Sequence, residues 1–275
     1  MLPQHSLALR SLTLRHPPDD LAGGFPFSVP AIRSLPPLTF PSPVTFLVGE
    51  NGSGKSTLLE AIAHATALPA IGSELRVHED PSLQAQQRLA AAMQLTWSRG
   101  RSPHGFFLRA EDFFGFTRTL ARMRAGFLAE MAEIEREYVG RSEYARVLRL
   151  GPIAGSLRAL EERYGVDLDA HSHGESFLAL FRSRFVPRGL HLLDEPEAAL
   201  SPQSQLALLS LLKEMTAHDA QFIIATHSPI LLAFPGATIY SFDESPVRAV
   251  AYDELEHVAL TRDFLADPAR FLRHL

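Results

Sequence analysis

A chain of 275 residues that is 46% hydrophobic is long enough for one large α/β domain or two small ones, and neither half is biased enough in composition to suggest disorder. Without cysteine it can form neither disulfides nor thiolate metal sites, and a net charge of −5 at pH 7 supplies no global basic field of the kind that announces nucleic acid. Prolines and charges replace an apolar signal core near the start, and no stretch approaches the ~20 apolar residues of a spanning helix, so a cytoplasmic chain without membrane insertion is expected.

In chain order, Ser6 to Arg15 alternates Leu7, Leu9, Leu12 and Leu14 with polar residues in two short runs, as a strand or hairpin with one wet face does, and antiparallel pairing is expected. Pro17 to Pro43 is crowded with Pro and Gly and reads as loop with short extended pieces. Val44 to Val48 is an apolar strand, followed at once by Gly49-Glu50-Asn51-Gly52-Ser53-Gly54-Lys55-Ser56-Thr57 and the helical Leu58 to Ile62. Strand, glycine loop and helix in that order form the context of a phosphate-binding loop. Backbone N–H groups from Gly49 to Thr57, Asn51 and Ser53 included, must wrap the anion, and a side chain at Gly52 or Gly54 would hold the chain off. Lys55 supplies a point charge to the β and γ oxygens of a nucleoside triphosphate, the Ser56 hydroxyl can ligate Mg2+, and the helix dipole points at the same anions. Of 26 cationic residues only Lys55 and Lys213 are lysine, so the lysine in this loop stands out.

Leu75 to Val77, Met93 to Trp97 and Phe106 to Arg109 are weaker strand candidates, with a helix start at Asp80-Pro81. From Thr117 to Tyr164 the spacing turns helical, with Leu120, Met123, Phe127, Met131 and Ile134 on one side and a break at Gly151-Pro152. Strand and helix then alternate: Leu190 to Leu193, a helix from Pro202 to about Ala217, Phe222 to Ala225, Thr238 to Phe242, and Val247 to Tyr252. Asp263 to Leu275 reads as a terminal helix. This alternation predicts a largely parallel sheet flanked by helices.

The strand at Leu190 ends in Asp194-Glu195-Pro196, which places two carboxylates at the carboxyl edge of the sheet, where ligands of open α/β sheets bind. Asp194 is the candidate to hold Mg2+, and Glu195 the candidate general base that polarises the attacking water. Phe222 to Ala225 ends in Thr226-His227-Ser228-Pro229. A lone histidine is more often structural, but one at a neighbouring strand end could reach the γ-phosphate and the water.

The set Gly49 to Thr57, Leu190 to Glu195 and His227, with a helical insert between the first two, resembles the ABC-type ATPases. The family's signature loop is matched by Ser172-His173-Gly174-Glu175-Ser176, where Ser172 and Gly174 agree with its serine and second glycine, while His173 and Glu175 depart from it. An ordinary helix cap is the alternative reading of that segment. The resemblance implies ATP and Mg2+ as cofactors and an ATP-dependent head-to-tail homodimer in which Ser172 and Gly174 serve the partner's nucleotide. It also implies a dimer-signalling loop at Ala199-Leu200-Ser201, equally a normal helix start, and a metal-linked loop after Arg109 in which Glu111 replaces glutamine. Phe25, Phe27 and Phe40 are candidates to stack on adenine, against core packing for each.

The expected fold is α/β, a P-loop NTPase of ABC-ATPase type, with a mostly parallel sheet flanked by helices and an antiparallel N-terminal β part. One domain covers residues 1–275, with a helical insert at 113–171 whose charged faces are solvated or receive a DNA or protein partner. Within the family, Glu50-Asn51-Gly52-Ser53-Gly54-Lys55-Ser56-Thr57 and Thr226-His227-Ser228-Pro229 resemble the soluble ATPases related to DNA-repair and chromosome ATPases more than transporter subunits, and the departures at Ser172 to Ser176 and at Glu111 weaken a transporter assignment. Alternative readings are a DNA-stimulated ATPase, a transporter's ATPase subunit, or a non-hydrolysing nucleotide sensor.

Overall fold

A computed structural model describes residues 7–15, 24–71, 83–98, 104–164 and 173–273. Strand β1 (Leu9–Leu14), a short helix α1 (Pro30–Arg33) and β2 (Leu38–Thr39) precede β3 (Val44–Val48) and α2 (Lys55–Thr66). Then come α3 (Leu83–Ala92), β4 (Met93–Trp97), β5 (Gly105–Arg109) and the long pair α4 (Ala110–Glu137) and α5 (Glu143–Tyr164). Helix α6 (His173–Arg184), β6 (Leu190–Asp194), a 3-10 turn (Pro196–Ala199), α7 (Pro202–Thr216), β7 (Gln221–Ala225), α8 (Pro229–Leu232) and β8 (Thr238–Ser241) follow. β9 (Arg248–Val250), a second 3-10 turn (Tyr252–Glu254), α9 (Glu256–Ala266) and α10 (Pro268–Leu272) complete the order.

The main sheet runs β5-β6-β7-β3-β8-β9, parallel throughout except β9, which pairs antiparallel with β8. Every residue of β3, β6 and β7 is buried, because central parallel strands are covered on both faces, and this is why they read as mostly apolar runs without a polar alternation. One face packs on α6, α7 and α8 through Phe177, Phe181, Phe185, Leu208 and Leu212. The other packs on α1, α2 and the antiparallel layer through Ile32, Leu58, Leu59 and Leu9.

That second layer is a three-stranded sheet, β2-β1-β4, antiparallel as the leucine pattern of the first strand predicts. Leu9 and Leu12, three apart, both point into the core, which a period of two forbids unless the strand bulges. The pairing with β4 shifts register between Leu9 and Ser11, and this supplies the extra residue. Gln221 fastens the layers together: its amide accepts from Leu9 N at 2.9 Å and donates to Leu9 O at 2.8 Å.

Four expectations need correction. Helix α5 runs through Pro152 instead of breaking at Gly151-Pro152. The proline removes one N–H from the ladder, but packing on α4 holds the following turns, with Leu157 and Leu160 buried and Arg124 Nε 2.9 Å from Glu161 Oε1. The loop over Pro17 to Pro43 contains α1, started by Pro30 at its first position and held by the burial of Ala31 and Ile32. The terminal helix is two helices that part at Asp267, whose carboxylate accepts from Arg270 N at 3.1 Å and so starts a new cap. The last strand is shorter than Val247 to Tyr252, because Tyr252 opens a 3-10 turn. Leu75 to Val77 and Asp80-Pro81 lie outside the described residues.

Candidate nucleotide site

Strand register gathers the site. Arg109 pairs with Asp194, Asp194 with Ala225, Leu47 with Ala225, and Val48 with Ser241, so the carboxyl ends of five parallel strands share one edge. The chain leaves β3 through Gly49, Gly52 and Gly54 at φ of +144°, +81° and +104°, values that L side chains resist. A Cβ on Gly49 would also stand 3.0 Å from both Phe242 Cβ and Ser53 Oγ. Gly54 caps α2 in the left-handed region, and α1 closes on it from the side: its Cβ would meet Val29 at 3.0 Å.

Lys55 is buried, and its ammonium donates to Gly49 O at 2.5 Å and Glu50 O at 2.9 Å, so the charge sits inside the loop. Burial pulls its pKa down, while the carboxylates of Glu195 and Asp194 hold it up. Ser56 Oγ donates to Asp194 Oδ1 at 3.0 Å, which brings the two halves of the predicted site into contact across 138 residues of sequence. Thr57 is half-buried beside it, Ser53 likewise, and Asn51 is exposed at the loop tip.

Asp194 is buried, which raises its carboxyl to about 6 against the pull of the Ser56 hydroxyl and of Arg109. Arg109 Nε lies 3.7 Å from Asp194 Oδ2, and the same guanidinium pairs with Glu60 of α2, which in turn accepts from Gln86 Nε2 at 2.6 Å. Glu195 adopts φ +49°, a left-handed conformation uncommon outside glycine, held by its N–H to Ala225 O at 2.9 Å. That turn sends adjacent carboxylates in different directions: Asp194 toward Ser56, Glu195 toward His227, whose Nε2 is 3.7 Å from Glu195 Oε1. The His227 backbone is pinned by Glu197, whose Oε1 accepts from His227 N at 2.6 Å. Burial pulls the imidazole below its ordinary pKa, Lys55 adds to this, and Glu195 opposes it.

Lys55, Ser56, Asp194, Glu195 and His227 therefore stand together. Glu111 does not join them: it is exposed on the first turn of α4, and Arg109 reaches the site in its place. Ser172 lies outside the described residues, and Gly174 falls in the first turn of α6. Phe27 and Phe40 are buried in the core and not available to stack on a base, whereas Phe25 is 49% exposed. The sequence reading missed Arg109, Glu60, Glu197, Asp243 and His257. Asp243 accepts from Glu50 N at 2.8 Å and braces the loop, and His257 lines the same cleft. Only Glu197, two residues after Glu195, had a signal in its position.

The donor set fits Mg2+. A buried carboxylate and a serine hydroxyl are hard oxygen ligands, beside a glycine cradle that a Cβ would fill.

Two family models match parts of the chain: "AAA domain, putative AbiEii toxin, Type IV TA system" over residues 176–233 and "AAA domain" over residues 31–102. "Thiamine import ATP-binding protein ThiQ" of Ruegeria sp. (strain TM1040) is 30% identical over 184 residues, 66% of this chain and 70% of that one. The protein of that name from Cereibacter sphaeroides is 32% identical over 186 residues, with the same coverage. "ABC multidrug transporter C" of Aspergillus fumigatus is 25% identical, but this chain spans only 12% of its length. Among solved structures, an "SMC head domain from Thermotoga maritima" aligns at a TM-score of 0.42 and 16% identity, covering 89% of this chain and 98% of that one. The cbiO1 protein of Clostridium perfringens aligns at 0.48 and 15%, covering 98% and 100%. The two thiamine-import relatives, matched over most of their length, decide the family: this chain belongs to the ABC-type ATPases and is a P-loop protein that binds and hydrolyses ATP.

Proposed function

We propose that the chain binds MgATP at the Gly49 to Thr57 loop, closes as a head-to-tail homodimer, and hydrolyses the bound ATP through Glu195. The observation that carries this is the 3.0 Å contact between Ser56 Oγ and Asp194 Oδ1, with Glu195 and His227 at the same edge. Ser56 and Asp194 would hold Mg2+, which when bound neutralises charge on the phosphate oxygens. Lys55 exchanges its two loop carbonyls for β and γ oxygens, a short swing for a flexible stem. Glu195, freed from Asp194 by its left-handed turn, takes the proton of the attacking water. His227, neutral at pH 7 because its pKa is lowered, presents Nε2 to the γ-phosphate or that water.

In this reading residues 1–275 form one domain, with 113–171 a helical insert that receives a partner. Ser172 and Gly174 complete the opposing protomer's site, so a monomer hydrolyses little. Glu195→Gln should trap an ATP-bound dimer, measured by size exclusion with light scattering. A monomer at saturating MgATP would overturn the homodimer.

A second reading, an energy module for an import system, is supported by the relatives' names. No helix among the described residues is long and apolar enough to cross a membrane; co-purification with an integral membrane protein would support that role. Stimulation of turnover by duplex DNA, weakening steeply with salt, would point instead to a DNA-linked ATPase.

A further inference from the structure

A cleft of about 640 Å³ lies over residues Gly49 to Ser53 and is lined also by His227, Asp243 and His257. Three buried polar atoms on its walls have no hydrogen-bond partner among the described residues: Ser53 Oγ, His227 Nε2 and His257 Nε2. Buried polar atoms are almost always paired, so three orphans on one cleft point to a ligand that brings the missing partners. Ser53 and His227 belong to the nucleotide machinery. His257 does not: it comes from the first turn of α9, outside every motif of the sequence.

We infer that His257 is a further nucleotide-binding residue, making one hydrogen bond through Nε2 to an oxygen of the bound nucleotide, on the phosphate or the ribose. The inference rests on placing ATP in this cleft. Asp243, the nearest acid on that wall, is already committed, since Oδ1 accepts from Glu50 N at 2.8 Å and Oδ2 from Ser241 Oγ at 3.2 Å. His257 and His227 are close enough for their charges to oppose each other, and burial pulls both below the ordinary histidine range. Both rings are therefore neutral at pH 7, and a neutral imidazole can donate to a phosphate oxygen or exchange a hydrogen bond with a hydroxyl. A helix otherwise remote from the chemistry thereby becomes a wall of the site.

Calorimetric titration of the full chain in EDTA, which prevents turnover, tests this with ATP, 2′-deoxy-ATP and inorganic tripolyphosphate as probes. His257→Ala and His257→Phe, the second keeping ring bulk without nitrogens, should each weaken ATP about tenfold, and His257→Gln should recover most of the loss. If tripolyphosphate weakens equally, the partner is a phosphate oxygen; if only ATP weakens and 2′-deoxy-ATP is weak already in the unsubstituted protein, it is the ribose hydroxyl. Unchanged ATP affinity in folded His257→Ala and His257→Phe overturns the inference, provided Lys55→Ala loses binding. Should Lys55→Ala bind normally as well, it is the placement of the nucleotide that fails.

Discussion

His191, near the start of β6, allows the cost of burying an imidazole to be measured. It is fully buried in β6, with ring centroids 5.0 Å from Phe106, 4.9 Å from Phe185 and 5.1 Å from Phe222. Burial drives its pKa from 6.5 to about 4, only weakly opposed by its contact with Val186. A base whose folded pKa lies below its unfolded value leaves stability intact above 6.5 and drains it as pH falls toward 4, because the unfolded chain takes the proton first. The full penalty is about 3 kcal/mol, from roughly 2.5 units at 1.36 kcal/mol each, and most of it is present by about pH 4.5. His191→Leu, close in volume and unable to take a proton, should abolish this contribution. Urea denaturation followed by circular dichroism at pH 7.5 and pH 4.5 gives the comparison. The variant should lose about 2 to 3 kcal/mol less than the parent between the two values, with ATP hydrolysis at pH 7.5 retained. An acid limb identical to the parent's would refute the reasoning, since His191 would then not resist protonation in the fold.

Lys55→Ala should abolish ATP binding by calorimetry, because among the described residues no other ammonium enters the loop; normal affinity would mean the primary site lies elsewhere. Gly49→Ala places a methyl 3.0 Å from Phe242 and Ser53 at φ +144°, and should cost about 1–3 kcal/mol by urea denaturation together with a loss of nucleotide affinity. Arg109→Met strands the buried carboxylates of Glu60 and Asp194, and should destabilise the fold by about 2 kcal/mol, less than a fully buried pair because the arginine is 34% exposed. Thermal melts should show that deficit shrinking as pH falls through about 6, where Asp194 protonates.

Arg109 also explains why a glutamine-type loop was hard to find. The family pattern places such a side chain after the strand, at Glu111. The guanidinium instead leaves from the last residue of β5, level with Asp194 in the neighbouring strand. Its long stem spans a gap that a carboxylate one turn into α4 does not cross. Glu60 gives a similar lesson. On the helix that follows the phosphate loop it looks like an ordinary surface acid, yet it is buried and paired between Arg109 and Gln86.

What was legible from sequence alone was local in its physics. Glycines that the backbone of the loop demands, one lysine among arginines, mostly apolar runs ending in acids or histidine, and the alternation of strand and helix each reflect constraints within a few residues, so the parallel sheet and the loop could be read directly. What only tertiary structure decided was adjacency across long sequence separations. Tertiary packing sets Arg109 beside Asp194, Ser56 against Asp194, Asp243 against Glu50, and His257 in the same cleft as His227. Local propensity carries no information about which strand lies next to which, because that order is selected by burial of both sheet faces at once, a property of the whole chain.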